Sequence, residues 1–168
     1  MSSGEPDGIP NRDRISAIDI DAKSIVRWGV EVEHERSVAV FDLLERNSFR
    51  LVDGFAGPYD LRLSLRESVL VMEVSATGCA SAAEAAEINL PVRPLRRVIK
   101  DYFLICDSYF QAIRGATPSR IEAIDMARRG LHDEGSQILR EVLEGKVALD
   151  HDTARRLFTL ICVLHIRG

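Results

Sequence analysis

The sequence predicts an α+β fold in which a small antiparallel sheet with one N-terminal helix precedes a C-terminal helical region packed on it. Three observations support this class. Apolar residues recur with a period of two over much of residues 49–90. They recur with a period near 3.6 over much of residues 95–164. Pro91 and Pro94 separate the two patterns.

The chain of 168 residues is long enough for one well-buried core. Residues 1–13 are rich in glycine, proline, serine and acidic residues, which predicts a disordered tail. We expect residues 14–168 to form a single α+β domain, sheet-rich over 14–90 and helical over 91–168.

The sheet-rich part is predicted to begin with a strand from Ile15 to Ile20. The segment from Glu31 to Asn47 follows as an amphipathic helix, because its aliphatic residues recur on one face. Phe49 to Val52 is a predicted strand. A hairpin is expected next, because Leu61, Leu63 and Leu65 alternate with polar residues and Val69 to Val74 returns after a turn at Glu67-Ser68.

Between the hairpin and the helical part, Cys79 to Glu87 is alanine-rich and helical by propensity, yet Ile88-Asn89-Leu90 looks extended. We predict a loop leading into an edge strand here. Leu95 to Arg114 has a broad apolar face and precedes Gly115, which predicts a helix and its C-terminal glycine.

The helical part is predicted to contain three helices, or four if the middle one is broken. The middle segment opens at Thr117-Pro118-Ser119, with Ser119 and Glu122 spaced as a capping box. Gly130 and Gly135 interrupt its pattern, so either the backbone is closely approached at these positions or the helix breaks there. Gly145 is expected to end it, Val147 to Leu149 is short and extended, and Asp150 or Asp152 caps the last helix.

Composition narrows the class of protein. Residues 1–92 carry 9 basic and 16 acidic residues, a net charge of −7, whereas residues 93–168 carry 13 and 10, a net charge of +3. A pI near 5.6 argues against a duplex-DNA binder. The three cysteines, Cys79, Cys106 and Cys162, form no CxxC pair, so neither a disulfide framework nor a zinc site is predicted.

We expect no metal and no cofactor, because metal-ligand spacings, P-loop, GxGxxG, GxSxG and HExxH motifs are all missing from the sequence. The acidic segment from Glu31 to Glu35 offers too few ligands for a metal and is interpreted as a helix start that complements the helix dipole. No secretory signal and no bilayer-spanning apolar run is visible, so the expected compartment is the cytoplasm.

Three arginine doublets lie on the predicted helices and are the candidate anion-binding residues. Arginine guanidiniums bind phosphate or carboxylate groups in a bidentate manner. Alternatively, the doublets are solvated helix surfaces that pair with nearby aspartates. The residues concerned are Arg96, Arg97, Arg128, Arg129, Arg155 and Arg156.

The segment from Asp125 to Ser136 is the densest collection of reactive side chains. On an unbroken helix Asp125, Arg129, His132 and Ser136 share a face, so Asp125 could orient His132 as a catalytic acid or base. On a broken helix, Asp133 would instead cap a new N-terminus beside Arg128 and Arg129, where a phosphate could bind. The alternative is a kinked surface helix with local ion pairs.

Several long strings resemble one known family. They are PLRRVIKDYF (94–103), IEAIDMARRGLHDEGS (121–136), DTARRLFTLICVLH (152–165), VEHER (32–36) and LRLS (61–64). On these strings the chain resembles the bacterial uncharacterised protein family 0262, over nearly everything after the tail. The resemblance implies no reaction, ligand or catalytic residue.

Three functional hypotheses follow. The first is an interaction or regulatory protein whose basic helical half binds an acidic or phosphorylated partner, either a protein or a small molecule. The alternative is a hydrolase or transferase acting on a phosphorylated small molecule, with His132 and Asp125 as catalytic residues and the arginines holding phosphate. Weak RNA binding through the same arginines is a third possibility, which steep salt dependence would reveal.

Overall fold

A computed structural model describes residues 12–21, 30–78 and 84–164, and the predicted α+β class is confirmed. The sheet-rich part contains β1 (Ile15–Ile20), α1 (Val30–Glu45), β2 (Phe49–Leu51), β3 (Tyr59–Arg66), β4 (Val69–Ala76) and β5 (Ala85–Pro91). The helical part contains a short 3-10 helix (Arg93–Leu95), α2 (Arg96–Ile113), α3 (Pro118–Leu143), β6 (Val147–Leu149) and α4 (His151–Val163). The predicted tail lies outside the described residues up to residue 11.

The main sheet has the strand order β1-β3-β4-β5. The predicted hairpin forms β3 and β4, with Leu65 opposite Leu70, and β5 pairs antiparallel at the edge as an extended segment. Strand β1 differs from the predicted antiparallel arrangement, because it runs parallel to β3 with Ile18 beside Leu61. The reason is the intervening helix α1, which provides the longer crossover that parallel neighbours require.

Strands β2 and β6 form a separate antiparallel pair, in which Phe49 faces Leu149 and Leu51 faces Val147. Both segments were predicted to be extended, but the sequence does not indicate their pairing. This pair joins the end of α1 to the beginning of α4. Next to it, the backbone N–H of Ser48 donates to Oγ1 of Thr153 over 2.9 Å.

Helix α4 is the buried centre of the helical part. Helices α1 and α3 both pack on it, and α2 packs on α3. Its side chains from Leu157 to Val163 are buried, so its apolar surface extends beyond a single stripe. Of the two predicted caps, Asp150 is the one that caps the helix, accepting from the N–H of Thr153 over 2.8 Å.

Helix α3 runs without interruption through Gly130 and Gly135, so of the two alternatives the broken helix is wrong, and a close approach to the backbone is found at Gly135. Gly135 is buried against Phe158 and leaves room for that ring, which is a packing reason for a glycine in a continuous helix. Asp133 therefore lies within the helix and cannot cap a new one. The helix starts at Thr117, whose hydroxyl accepts from the N–H of Arg120, and the proposed capping role of Ser119 is wrong.

In the described part of the chain, no helix combines the length and the apolar character needed to cross a lipid bilayer.

Candidate functional site

A concave cavity of about 760 Å³ lies where helices α1, α2, α3 and α4 meet. Its volume is within the range of pockets that bind small molecules, roughly 300 to 1,000 Å³. The wall combines apolar, aromatic and charged side chains. They are His34, Glu35, Val38, Ala39, Asp42, Tyr102, Tyr109, Phe110, Arg128, His132, Asp152, Arg155, Arg156 and Thr159.

Helical spacing explains why α1 and α4 contribute most of this wall. On α1, Glu35, Val38 and Asp42 follow one another at intervals of three and four residues and therefore share a face. On α4, Asp152, Arg155 and Thr159 repeat the same spacing. The two faces are opposed because α1 packs directly on α4.

A hydrogen-bonded cluster around Glu35 forms one side of the cavity. The Glu35 carboxylate accepts from the hydroxyl of Tyr102 over 2.6 Å and from the guanidinium of Arg128 over 2.8 Å. Arg128 donates with its other terminal nitrogen to Asp125, also over 2.8 Å. Burial, with contributions from Cys106 and Glu35, raises the pKa of Tyr102 well above its usual range. The phenol therefore stays protonated and remains a donor to Glu35.

Arg128 is held in place by these contacts. Its guanidinium also lies over the ring of Tyr109, 4.5 Å from the ring centre, in a cation-π arrangement. Burial disfavours its charge, but hydrogen bonding to Asp125 and the charge of Glu35 outweigh that effect and raise the pKa of Arg128. Arg128 thus neutralises carboxylates of the protein itself.

His132 lies in the cavity as a neutral imidazole. Its ring stacks on Tyr102 with 4.7 Å between ring centres, and Phe158 meets it edge to face. Its Nε2 is 3.4 Å from Oγ1 of Thr159. Burial, followed by the positive charges of Arg155 and Arg128, lowers the pKa of His132 to about 4.

This lowered pKa predicts a loss of stability in mild acid. Between pH 6.5, the ordinary pKa of histidine, and about 4, the unfolded chain binds a proton at residue 132 that the folded protein does not. The free energy of unfolding should therefore fall as the pH decreases through this window, and His132 should account for about 2 to 3 kcal/mol of the decrease. Above pH 6.5, His132 should make the free energy of unfolding no more pH-dependent. Urea unfolding of the wild type and of His132→Gln between pH 7 and pH 4 measures the effect. The variant should show the shallower decrease, and equal slopes would contradict the assignment.

The candidate residues from the sequence separate into two groups. The cavity brings together His132, Arg128, Arg155 and Arg156. Other candidates pair elsewhere. Arg97 forms an ion pair with Glu134, Arg96 donates to the hydroxyl of Ser68, and Arg129 pairs with Asp125.

Asp125 does not orient His132. Its two carboxylate oxygens are engaged by Arg128 and Arg129, at 2.8 and 3.0 Å. Ser136, which shares the helix face with His132 in the sequence, donates to the backbone carbonyl of His132 and is buried. The described residues contain no group of three or more metal-ligating side chains.

Glu35, Asp42 and Asp152 were not identified as cavity residues from the sequence. Glu35 was interpreted as part of an acidic helix start. The available signal was its position four residues before Ala39, which belongs to the apolar face of the same helix. A carboxylate on such a face points towards the interior and requires a partner there.

A comparison with protein families and a comparison with individual proteins identify the same relatives. The model of the Uncharacterised protein family (UPF0262) matches residues 12–167. A UPF0262 protein from Paramagnetospirillum magneticum is 52% identical over 160 residues, which are 95% of this chain and 100% of the relative. UPF0262 proteins from Brucella anthropi and Brucella canis are 55% and 57% identical over 161 residues, 95% of this chain and 98% of each relative. No solved structure gives a significant match. The chain therefore belongs to the uncharacterised protein family UPF0262.

Proposed function

We propose that this protein is a cytoplasmic interaction or regulatory protein whose helical half binds a small acidic or phosphorylated molecule in the four-helix cavity. The observation that carries the proposal is the state of Arg155 and Arg156. Both line the cavity, yet Arg156 donates to the backbone carbonyl of Arg46, and the carboxylate of Asp133 is 3.8 Å from Arg155. Their charges are thus poorly neutralised and available to an anion.

The concave shape and the surrounding charges favour a small molecule over a large acidic surface. Arg97 and Arg129, which lie outside the cavity wall, are highly exposed and paired with carboxylates of the protein. Burial is the main cause of the lowered pKa of His132, the positive charges of Arg155 and Arg128 lower it further, and Asp133 opposes them. The guanidiniums of Arg155 and Arg156 would bind a carboxylate or phosphate group.

We expect a compound with such a group to stabilise the wild type against thermal unfolding. At 100 times its dissociation constant a ligand adds about 2.7 kcal/mol to the free energy of unfolding. The measurement is thermal unfolding with a panel of nucleotides, sugar phosphates and organic acids. The double variant Arg155→Gln/Arg156→Gln should lose the stabilisation, because the cavity then lacks both available guanidiniums.

The matched control is Arg97→Gln/Arg129→Gln, which removes the same number of charges outside the cavity wall. It should retain the response of the wild type. Equal loss in both double variants would indicate a non-specific charge effect and contradict the proposed site. An absence of any response across the panel would contradict the function.

A hydrolase or transferase acting on a phosphorylated small molecule is the second candidate. One observation favours it: the neutral imidazole of His132 lies in the same cavity as Arg155 and could accept a proton. Its orienting acid is engaged elsewhere, because Asp125 pairs with two arginines. Conversion of a bound compound by the wild type, abolished in His132→Gln with binding retained, would favour the enzyme.

A further inference from the structure

We propose that the ligand of the four-helix cavity is a small zwitterion, with an anionic group, an ammonium group and an apolar body. This inference rests on the proposed function and specifies the chemical class of its ligand. It starts from Asp42 on α1 and Asp152 on α4, which line the same cavity as Arg155 and Arg156. Within the described parts of the chain, neither aspartate forms an ion pair.

The separation of the opposite charges is the first step of the argument. Asp152 precedes Arg155 and Arg156 by three and four residues on α4, a spacing that commonly brings such side chains together. Here Arg155 is directed towards Asp133, and Arg156 is directed towards the backbone carbonyl of Arg46. The cavity thus presents carboxylates and guanidiniums that do not neutralise one another.

The charge balance of the wall is the second step. Glu35 is neutralised by Arg128, and His132 is uncharged near pH 7. Two carboxylates, Asp42 and Asp152, then remain with two guanidiniums, Arg155 and Arg156. A ligand carrying only negative charge has partners in the arginines and none in the aspartates. A zwitterion offers each group a partner of opposite charge.

The apolar part of the wall is the third step. Val38, Ala39 and Phe110 line the cavity between the charged side chains. Burial of a hydrocarbon group against them is favourable, because it removes apolar surface from water. Two kinds of compound combine these features, amino acids with apolar side chains and amines that carry a phosphate. The shared chemistry is an ammonium group near an anionic group.

Calorimetric titration of the full-length protein with matched compounds tests the proposal. Phenylalanine is compared with N-acetylphenylalanine and phenethylamine, and phosphoethanolamine is compared with ethyl phosphate. We expect at least one of the two zwitterions to bind about tenfold or more tightly than its counterparts that lack one of the two charged groups. The phenylalanine and phosphoethanolamine arms distinguish a carboxylate from a phosphate as the anionic group.

The variant Asp42→Asn/Asp152→Asn should abolish this preference. Its dissociation constant for the zwitterion should then lie within about twofold of that for the counterpart that lacks the ammonium group. Arg155→Gln/Arg156→Gln should weaken the binding of both forms. Glu45→Gln, which removes an exposed carboxylate of α1 outside the cavity wall, is the control and should behave as the wild type. Circular dichroism spectra of the variants serve as the check that each one is folded.

Three outcomes would overturn the inference. If the compounds lacking the ammonium group bind the wild type as tightly as the zwitterions, or if the asparagine variant keeps the preference, Asp42 and Asp152 do not select for an ammonium group, and the proposed function still holds. If neither zwitterion binds but a nucleotide, sugar phosphate or other organic acid does, the zwitterion inference is wrong and the proposed function still holds. If no compound of either panel binds, both proposals are wrong.

Discussion

Replacing Gly135 by alanine is expected to lower the free energy of unfolding by about 3 kcal/mol, whereas the same change at Gly130 should raise it by up to about 1 kcal/mol. Both glycines lie in the continuous helix α3. A β-carbon at position 135 would lie 2.7 Å from Cδ2 of Phe158 and closer still to Cε2 and Cζ. At position 130 no heavy atom of another side chain in the described residues lies within 4 Å.

The sign of the change at Gly135 depends on whether Phe158 can move. Its side chain is fully buried and meets the rings of Tyr102 and His132, so displacement of the ring would disturb the neighbouring core. Chemical denaturation of both variants measures the difference. The introduced alanine contributes the same helix propensity at both positions. The difference between the two variants therefore measures the steric effect at residue 135. Equal stabilisation by both changes would show that the packing around residue 135 is loose.

Replacing Glu35 by alanine is the second change with a large expected effect, a loss of about 2 to 4 kcal/mol. It removes the acceptor for the Tyr102 hydroxyl and one of the two carboxylates that neutralise Arg128. Both side chains of the Glu35 and Arg128 pair are largely shielded from solvent, with exposures of 18% and 22%. Removing one partner from such a pair leaves the other charge poorly compensated.

Urea unfolding of Glu35→Ala, Arg128→Met and the double variant measures the coupling between the two side chains. We expect a coupling energy above about 1 kcal/mol, because the residues are in direct contact. Glu33→Ala is the control, since its pair with Arg36 on the same helix is more exposed and should contribute less than about 1 kcal/mol. A small loss in Glu35→Ala, equal to that in Glu33→Ala, would contradict a structural role for the cluster.

Local patterns in the sequence were sufficient for most of the secondary structure. The alternation of Leu61, Leu63 and Leu65 predicted a strand and its hairpin, and Asp150 predicted the start of the last helix. These signals depend on neighbouring residues and on the period of burial. At Gly135 the same reasoning left a broken helix and a close approach to the backbone as alternatives, because a glycine is unfavourable in an isolated helix. Only the structure shows that the ring of Phe158 occupies the space there.

The candidate site could be predicted only in part. Arginine doublets and His132 indicated a possible anion site, and Arg128, Arg155, Arg156 and His132 do meet in one cavity. The opposite wall comes from α1, and the packing of α1 on α4 cannot be read from the periodicity of either helix. Glu35 was missed for that reason, because its partners Tyr102 and Arg128 are 67 and 93 residues away in sequence.

The β2 and β6 pair has a consequence for how the cavity forms during folding. It joins segments separated by roughly a hundred residues, as does the bond from Ser48 to Thr153, whose separation is 105 residues. Contacts between residues so far apart in sequence have a large entropic cost of loop closure, and they slow the folding of a chain. Helices α1 and α4 adjoin this pair directly, at Glu45 and His151. The four-helix cavity therefore lies beside one of the most sequence-distant pairings in the described part of the fold, and we expect it to form late, once that pairing is complete.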